Sequence, residues 1–324
     1  MATLAGVFNM SHSPFCYMAP ERWNDVRASR SLRADVPFDD VETNRAKAAR
    51  IAAAFATLKG RLVAARPDVI VVFGDDQLEC FDFRNYPAFA IYAGDKFQGS
   101  LAGGGTATVP GHPELAAALL TGLMRRGFDP AFSLDMPRPE RGIGHAFLRP
   151  AESLTEFTTP IVPVFLNCYY APQPTAIRCY QLGAAVREIV DEHPGELRVA
   201  IVGSGGLWHT PRAKDAYLDE KFDRAVLRCL SIGDARGMAQ YFDDYQVPAS
   251  DASQVSGAPG PGATGLPDAA GPRGGTRETC NWIAAAAVVE GRPGTLVDYV
   301  PIYSSPIGAA FAYWSGGSDA ALTV

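Results

Sequence analysis

Histidine is scarce in this chain, at five residues among 324, so a metal site built of imidazoles alone would use most of them. The six cysteines (Cys16, Cys80, Cys168, Cys179, Cys229 and Cys280) form no C-x-x-C pair. Such scattered thiols fit reduced, partly buried side chains in a cytoplasmic protein. Hydrophobic residues make up 47% of the chain, enough for a core, yet no apolar run is long enough to span a bilayer. The opening MATLAGVFNM has no basic n-region and no cleavage pattern, and no signal peptide is expected. A formal charge of −6 without any basic cluster argues against a nucleic-acid surface. There is no internal repeat.

The stretch 198–210, RVAIVGSGGLWHT, also lacks two familiar devices. Val202 stands where a nucleophile elbow, G-x-S-x-G, requires its first glycine, which makes a serine hydrolase improbable. Neither a Lys-Ser/Thr pair nor a helix follows the glycines, so it is not a phosphate loop. What it does contain is a short apolar run, as in a strand buried on both faces, then Gly203, Ser204, Gly205 and Gly206, then His209. Open α/β sheets place ligands at the carboxyl ends of their strands. An ordinary turn histidine is the competing reading.

The rest of the chain repeats this grammar. Buried strands are expected over residues 4–10, 68–73, 88–92, 131–134, 161–166, 296–302 and 307–314. Helices are expected over 41–65, 114–126, 175–192, 217–243 and 276–290. The alternation predicts an α/β fold: a central, mostly buried sheet flanked by helices, in a single domain over residues 1–324. Residues 15–40 look irregular and suit a flap. Residues 248–275, rich in Gly, Ala, Pro and Ser, read as a mobile surface loop. His112 precedes a helix and reads as structural. His193 reads as a helix C-terminal residue without chemistry.

Four expected strand ends carry His12, the acidic turn Asp75-Asp76-Gln77-Leu78-Glu79, the segment Asn167–Tyr170, and His209. With His145, set among glycines, and Glu278, they can converge on one cleft. Two histidines and one carboxylate with open positions suit Fe(II) binding substrate and oxygen together, and a further histidine can then act as acid–base. A solvated acidic turn is the plainer reading of 75–79, and dipole complementation that of Glu278.

The chain resembles the class III extradiol ring-cleavage dioxygenases, the group of protocatechuate 4,5-dioxygenase catalytic subunits and gallate and 3-O-methylgallate dioxygenases. The similarity rests on Ser11-His12-Ser13-Pro14, DVIVVFGDDQLECF, Gly111-His112-Pro113-Glu114-Leu115, the His145 segment, Arg178-Cys179-Tyr180-Gln181-Leu182-Gly183, Gly203–His209, and Glu278 with Trp282. It implies a non-haem Fe(II) enzyme that opens a catechol-type ring with O2. By that resemblance His12 and Glu278 are iron ligands, His209 is the acid–base, and His145 either lies on the substrate side or supports the ligands from behind. The family's second histidine ligand falls on Gln77 here, after Asp76. The amide oxygen of Gln77, Asp76 or Glu79 stands as its replacement. Tyr169 and Tyr170 are expected to enclose the ring, and Arg178 or Arg141 to meet a substrate carboxylate. A homo-oligomer is expected, with the family's small partner subunit either a separate chain or replaced by the flap. Oxygen-independent C–C or ester cleavage on the same scaffold, and a non-catalytic aromatic-binding protein, are the alternatives.

Overall fold

The computed structural model describes residues 1–101, 103–210, 213–247 and 264–316. The strands are β1 (Thr3–Met10), β2 (Val69–Gly74), β3 (Phe89–Tyr92), β4 (Lys96–Ser100), β5 (Thr106–Pro110), β6 (Ala131–Ser133), β7 (Ile161–Leu166), β8 (Arg198–Ser204), β9 (Thr295–Ile302) and β10 (Ile307–Ser315). Eight of them form one sheet in the order β6-β3-β7-β2-β8-β1-β10-β9, and β4 and β5 form a separate hairpin. Within the sheet, β7, β2, β8 and β1 run parallel to one another. Every residue of β2 and β7 is buried, which is why these strands read as unbroken apolar runs rather than alternating ones. Strands β10 and β9 continue the sheet antiparallel on one side, and β3 pairs antiparallel with β7 on the other.

The helices are α1 (Trp23–Ala28), α2 (Val41–Ala65), α3 (Pro113–Arg125), α4 (His145–Pro150), α5 (Ala176–Glu192), α6 (Glu220–Ile232), α7 (Ala235–Asp244) and α8 (Thr279–Ala287). Because strand side chains alternate between faces, each strand feeds two cores. Val69, Val71, Phe73, Val199 and Ile201 pack with α3, α5, α7 and α8. Ile70, Val72, Ala200 and Val202 pack with α2, α4 and the β4–β5 hairpin. The observed architecture is thus the expected α/β sheet between helical layers.

The start of α2 is fixed by the Asp40 carboxylate, which accepts a hydrogen bond from Thr43 N at 2.8 Å. His112 caps α3 in the same way, accepting from Leu115 N, and so has the structural role expected of it. The residues 217–243 hold two helices rather than one, since Gly233 ends α6 in the left-handed region. Residues 15–40 are more ordered than expected. They contain two 3-10 turns and α1, with Trp23 fully buried and Arg27 donating to Tyr303 O and Val36 O. The hairpin β4–β5 was not legible, because residues 106–113 read as a loop. Residues 248–263 of the expected Gly/Pro-rich loop lie outside the described residues. All six cysteines are free, and no helix among the described residues is long and apolar enough to cross a membrane.

Asp223 of α6 is fully buried and ties the turn after β8 to the sheet edge. It accepts from Trp208 N at 2.7 Å and from the Tyr299 hydroxyl at 2.7 Å. Burial pushes its carboxyl up to about 7, against the pull of those two donors. A carboxyl raised in the folded state stabilises fully below the unfolded value and loses that contribution as pH rises through about 7. Asp223→Asn keeps an acceptor for Trp208 N and can donate to the Tyr299 oxygen. Its free energy of unfolding is expected to gain on that of wild type between pH 4 and pH 8, by on the order of a few kcal/mol, as measured by denaturant unfolding at each pH. A gap that is the same at both ends of this range would show that Asp223 stays ionised in the fold.

Candidate metal centre

The parallel strands β1, β8, β2 and β7 end side by side, and the residues just beyond those ends meet Glu278. That glutamate lies in a 3-10 turn, Gly274–Glu278, one residue before α8, rather than inside a longer helix as expected. α8 is buried along its whole length and packs on β8, β1 and β2, which delivers Glu278 to the strand ends. Gly205 permits this approach, since a Cβ there would lie 2.8 Å from Glu278 Cβ. Gly275 does the same for His209, whose Nδ1 would be 2.6 Å from an added Cβ.

Ligand atoms of His12, Asp75 and Glu278 all lie within 4.8 Å of one another, and all three residues are buried. His12 Nδ1 meets Ser204 Oγ at 3.0 Å, which leaves Nε2 facing Glu278 Oε2 at 3.2 Å. Glu278 Oε2 also accepts from Gly206 N at 2.9 Å, and Oε1 accepts from the Tyr169 hydroxyl. His209 Nδ1 stands 3.5 Å from Oε1, and its backbone N–H donates to Thr276 Oγ1 at 3.0 Å. Asp75 Oδ1 accepts from Asn281 Nδ2 at 3.2 Å, while Asn281 also donates to Ser204 O.

The electrostatics of the two carboxylates differ. Burial alone would raise Glu278, but the imidazoles of His12 and His209 reverse the sign and hold it well below the usual carboxylate range. Asp75 is raised well above that range, first by burial and then by the Glu278 charge. Burial lowers His12, with Glu278 opposing. His145, edge-on to His12 with ring centroids 4.7 Å apart, is different again. Burial would lower it, yet Glu79 at 2.8 Å outweighs burial and raises it to about 9.

Asp75 Oδ2 is buried without a hydrogen-bond partner, and His12 Nε2 and His209 Nδ1, also buried, face the Glu278 carboxylate at 3.2 and 3.5 Å. Buried polar atoms left unpaired are costly. One imidazole nitrogen and carboxylate oxygens converging in this way fit a first-row divalent cation. The second positions, Ser204 on His12 and Asn281 on Asp75, orient the donors as outer hydrogen bonds do in metal sites.

The structure assembles His12, His145, His209, Glu278 and Tyr169 in one place, as the sequence reading supposed. It does not bring Asp76 into the cluster. That carboxylate turns the other way and accepts from Cys80 N at 2.7 Å and Phe81 N at 3.3 Å. Glu79 is occupied by His145. Gln77 donates through Nε2 to the Tyr169 hydroxyl at 2.9 Å. Tyr170 is buried in an aromatic wall, 4.9 Å from Tyr86 and 5.0 Å from Phe83 between ring centroids. Arg178 is a correction: it donates to Gly127 O at 2.8 Å and its guanidinium sits 3.8 Å over the Phe128 ring, on the surface of α5. Arg141 is exposed. Asp75 was missed as a donor, although strand alternation carries the signal, because it continues the face of Val71 and Phe73 toward α8.

A buried His/Asp/Glu cluster at the carboxyl ends of parallel strands defines an α/β protein with a metal-binding capacity. Residues 6–256 match the family described as the catalytic LigB subunit of aromatic ring-opening dioxygenase, and the chain belongs to that family. Glu278 lies beyond the matched segment. The chain is 36% identical over 105 residues to a gallate dioxygenase of Pseudomonas putida, covering 31% of this chain and 29% of that protein. It is 31% identical over 158 residues to a 2,3-dihydroxyphenylpropionate/2,3-dihydroxicinnamic acid 1,2-dioxygenase of Escherichia coli, covering 48% of each. It therefore spans less than half the length of these relatives. A solved, uncharacterised Escherichia coli K12 protein superposes over 95% of this chain and 98% of its own, with a TM-score of 0.49 and 13% identity.

A cation that binds only the folded chain stabilises it by mass action. Metal-stripped protein is expected to gain about 4 kcal/mol in a divalent ion at a thousand times its dissociation constant. His12→Ala is expected to lose that gain. Thermal unfolding under argon, with and without added ion, checks both; an equal gain in the variant would remove His12 from the site.

Proposed function

We propose that this chain is a non-haem Fe(II) dioxygenase that opens the ring of a catechol-type aromatic of the gallate or methylgallate kind. The observation that carries the reading is the buried convergence of His12, Asp75 and Glu278, with His209 beside them, in a member of the ring-opening dioxygenase family. Similarity to the gallate dioxygenase of Pseudomonas putida supports the substrate class.

His12 and Glu278 would hold the ion, with a third donor from the turn after β2. Fe(II), when bound there, supplies the redox-active centre at which adjacent ring oxygens and O2 are brought together. The chain's own groups do the rest. His209 is fixed by Thr276 and Glu278 and takes the proton of a catechol hydroxyl, returning it later in the cycle. His145, charged through its pairing with Glu79, presents a cationic ring edge beside His12 and holds negative charge developing on the substrate oxygens. Tyr169 and Tyr170 wall the ring side and exclude water from the reacting atoms.

Oxygen uptake by anaerobically Fe(II)-loaded protein, across a panel of gallates, catechols and aminophenols, tests the reading. Uptake of one O2 per ring opened is expected. His209→Gln is expected to keep its iron and lose about 10²- to 10⁴-fold in kcat. Absence of uptake across the panel, or turnover that persists under argon, would sink the dioxygenase and favour oxygen-independent cleavage on the same scaffold.

A further inference from the structure

We infer that Asp75 is the third protein ligand of the metal, and that Gln77 is a positioning residue that acts through Tyr169 on Glu278. The inference rests on metal binding at the site just described and goes beyond it by assigning the donors.

Asp75 is fully buried, and its Oδ2 has no hydrogen-bond partner. Asn281 donates to its other oxygen, Oδ1, at 3.2 Å. A carboxylate withdrawn from water beside the Glu278 carboxylate is sustained only by a proton or a cation. Three further observations favour a cation. The His12 Nε2 converges on the same point, within 4.8 Å of the Asp75 and Glu278 donor atoms and 3.2 Å from Glu278 Oε2. Ser204 and Asn281 fix His12 and Asp75 from behind, leaving His12 Nε2 toward Glu278 and Asp75 Oδ2 without a partner. Asn281 joins the two supports, since it also binds Ser204 O at 2.8 Å.

Gln77 has a different occupation. Its Nε2 donates to the Tyr169 oxygen, and the Tyr169 hydroxyl donates to Glu278 Oε1. The tyrosine hydroxyl has one proton, and Gln77 fills an acceptor position on its oxygen, so the proton is directed to Glu278. With Gly206 N on Oε2, the two hydrogen bonds set the plane of the Glu278 carboxylate. The residue that stands where a second imidazole ligand is expected therefore orients a ligand instead of being one. The resulting set, one imidazole and two carboxylates, carries one more negative charge than two imidazoles and one carboxylate, and is richer in hard oxygen donors.

The test is Co(II) titration of the full-length metal-free chain under argon, by calorimetry and by the visible bands of the bound ion. Asp75→Asn keeps the side-chain size and an acceptor for Asn281. It is expected to lose at least about 100-fold in Co(II) affinity and to change the bands, as loss of a ligand does. The metal-free variant is expected to melt no lower than metal-free wild type, because a neutral amide at this buried position needs neither a proton nor a cation to sustain it. Gln77→Ala and Tyr169→Phe are each expected to lose about tenfold in affinity with coordination number unchanged. Their double variant should lose no more than either single one. Retained affinity in Asp75→Asn, or a metal-free Asp75→Asn that melts well below wild type, overturns the ligand assignment. Loss of a ligand band in Gln77→Ala does so too. Additive losses for Gln77 and Tyr169 overturn the positioning chain. Wild type that binds Co(II) through Asp75 but consumes no oxygen with iron overturns only the ring-cleavage reading; wild type that takes up no Co(II) overturns both.

Discussion

Two carboxylates, Asp75 and Glu278, are forced together out of water where the parallel strands end. The fold gives them very unequal support. Glu278 is met by a backbone N–H, a tyrosine hydroxyl and two imidazoles, and these reverse the effect of its burial. Asp75 receives one amide and nothing on its other oxygen. Without a cation, the pair therefore accommodates one charge easily and the second poorly. If Asp75 holds a divalent ion, as proposed above, ion and proton compete for the same carboxylate, which is the ordinary linkage between metal binding and deprotonation.

The surrounding architecture keeps that pair rigid. Helix α8 is buried on all sides, so the turn ahead of it cannot swing away from β8 without opening the core. Arg277, next to Glu278, is itself buried and donates to the carbonyls of Ala270, Pro272 and Pro174, locking the incoming chain. On the other side, Asp223 holds Trp208, and Thr276 holds the backbone of His209. His209 is thus placed by two elements that also place Glu278. The scaffold therefore fixes His209 independently of any ion.

Much of this was legible in the sequence. The buried strands, the α2 helix and its acidic start follow from apolar runs, capping and composition, and the structure has them at nearly the expected bounds. The histidine after β1 and the histidine after β8 were legible because each follows a buried strand and a small polar turn. The β4–β5 hairpin was not, since its half-buried alternation, eased by Gly99 and short polar residues, is a weak signal. Arg178 was misplaced for a related reason: a charged residue near a helix start says nothing about which face it takes, and here Phe128 and Gly127 claim it.

The acidic turn after β2 shows what separates a matched position from a role. Laying one sequence over another without gaps assigns chemistry by index, and the index points to Gln77 and Asp76. Geometry assigns it by the direction in which each side chain leaves the strand. Phe73 faces α8, so Asp75, two residues on, faces α8 as well and meets Asn281 and Glu278. Asp76, one residue out of phase, faces the opposite core and is consumed by the amides of Cys80 and Phe81. One step from the end of a buried strand, the Asp75 carboxylate lies within 4.8 Å of the His12 and Glu278 donor atoms, while Gln77, three steps out, reaches Tyr169. A turn with glutamine at 77 therefore still presents a carboxylate to Glu278, from the residue that the strand already aims there.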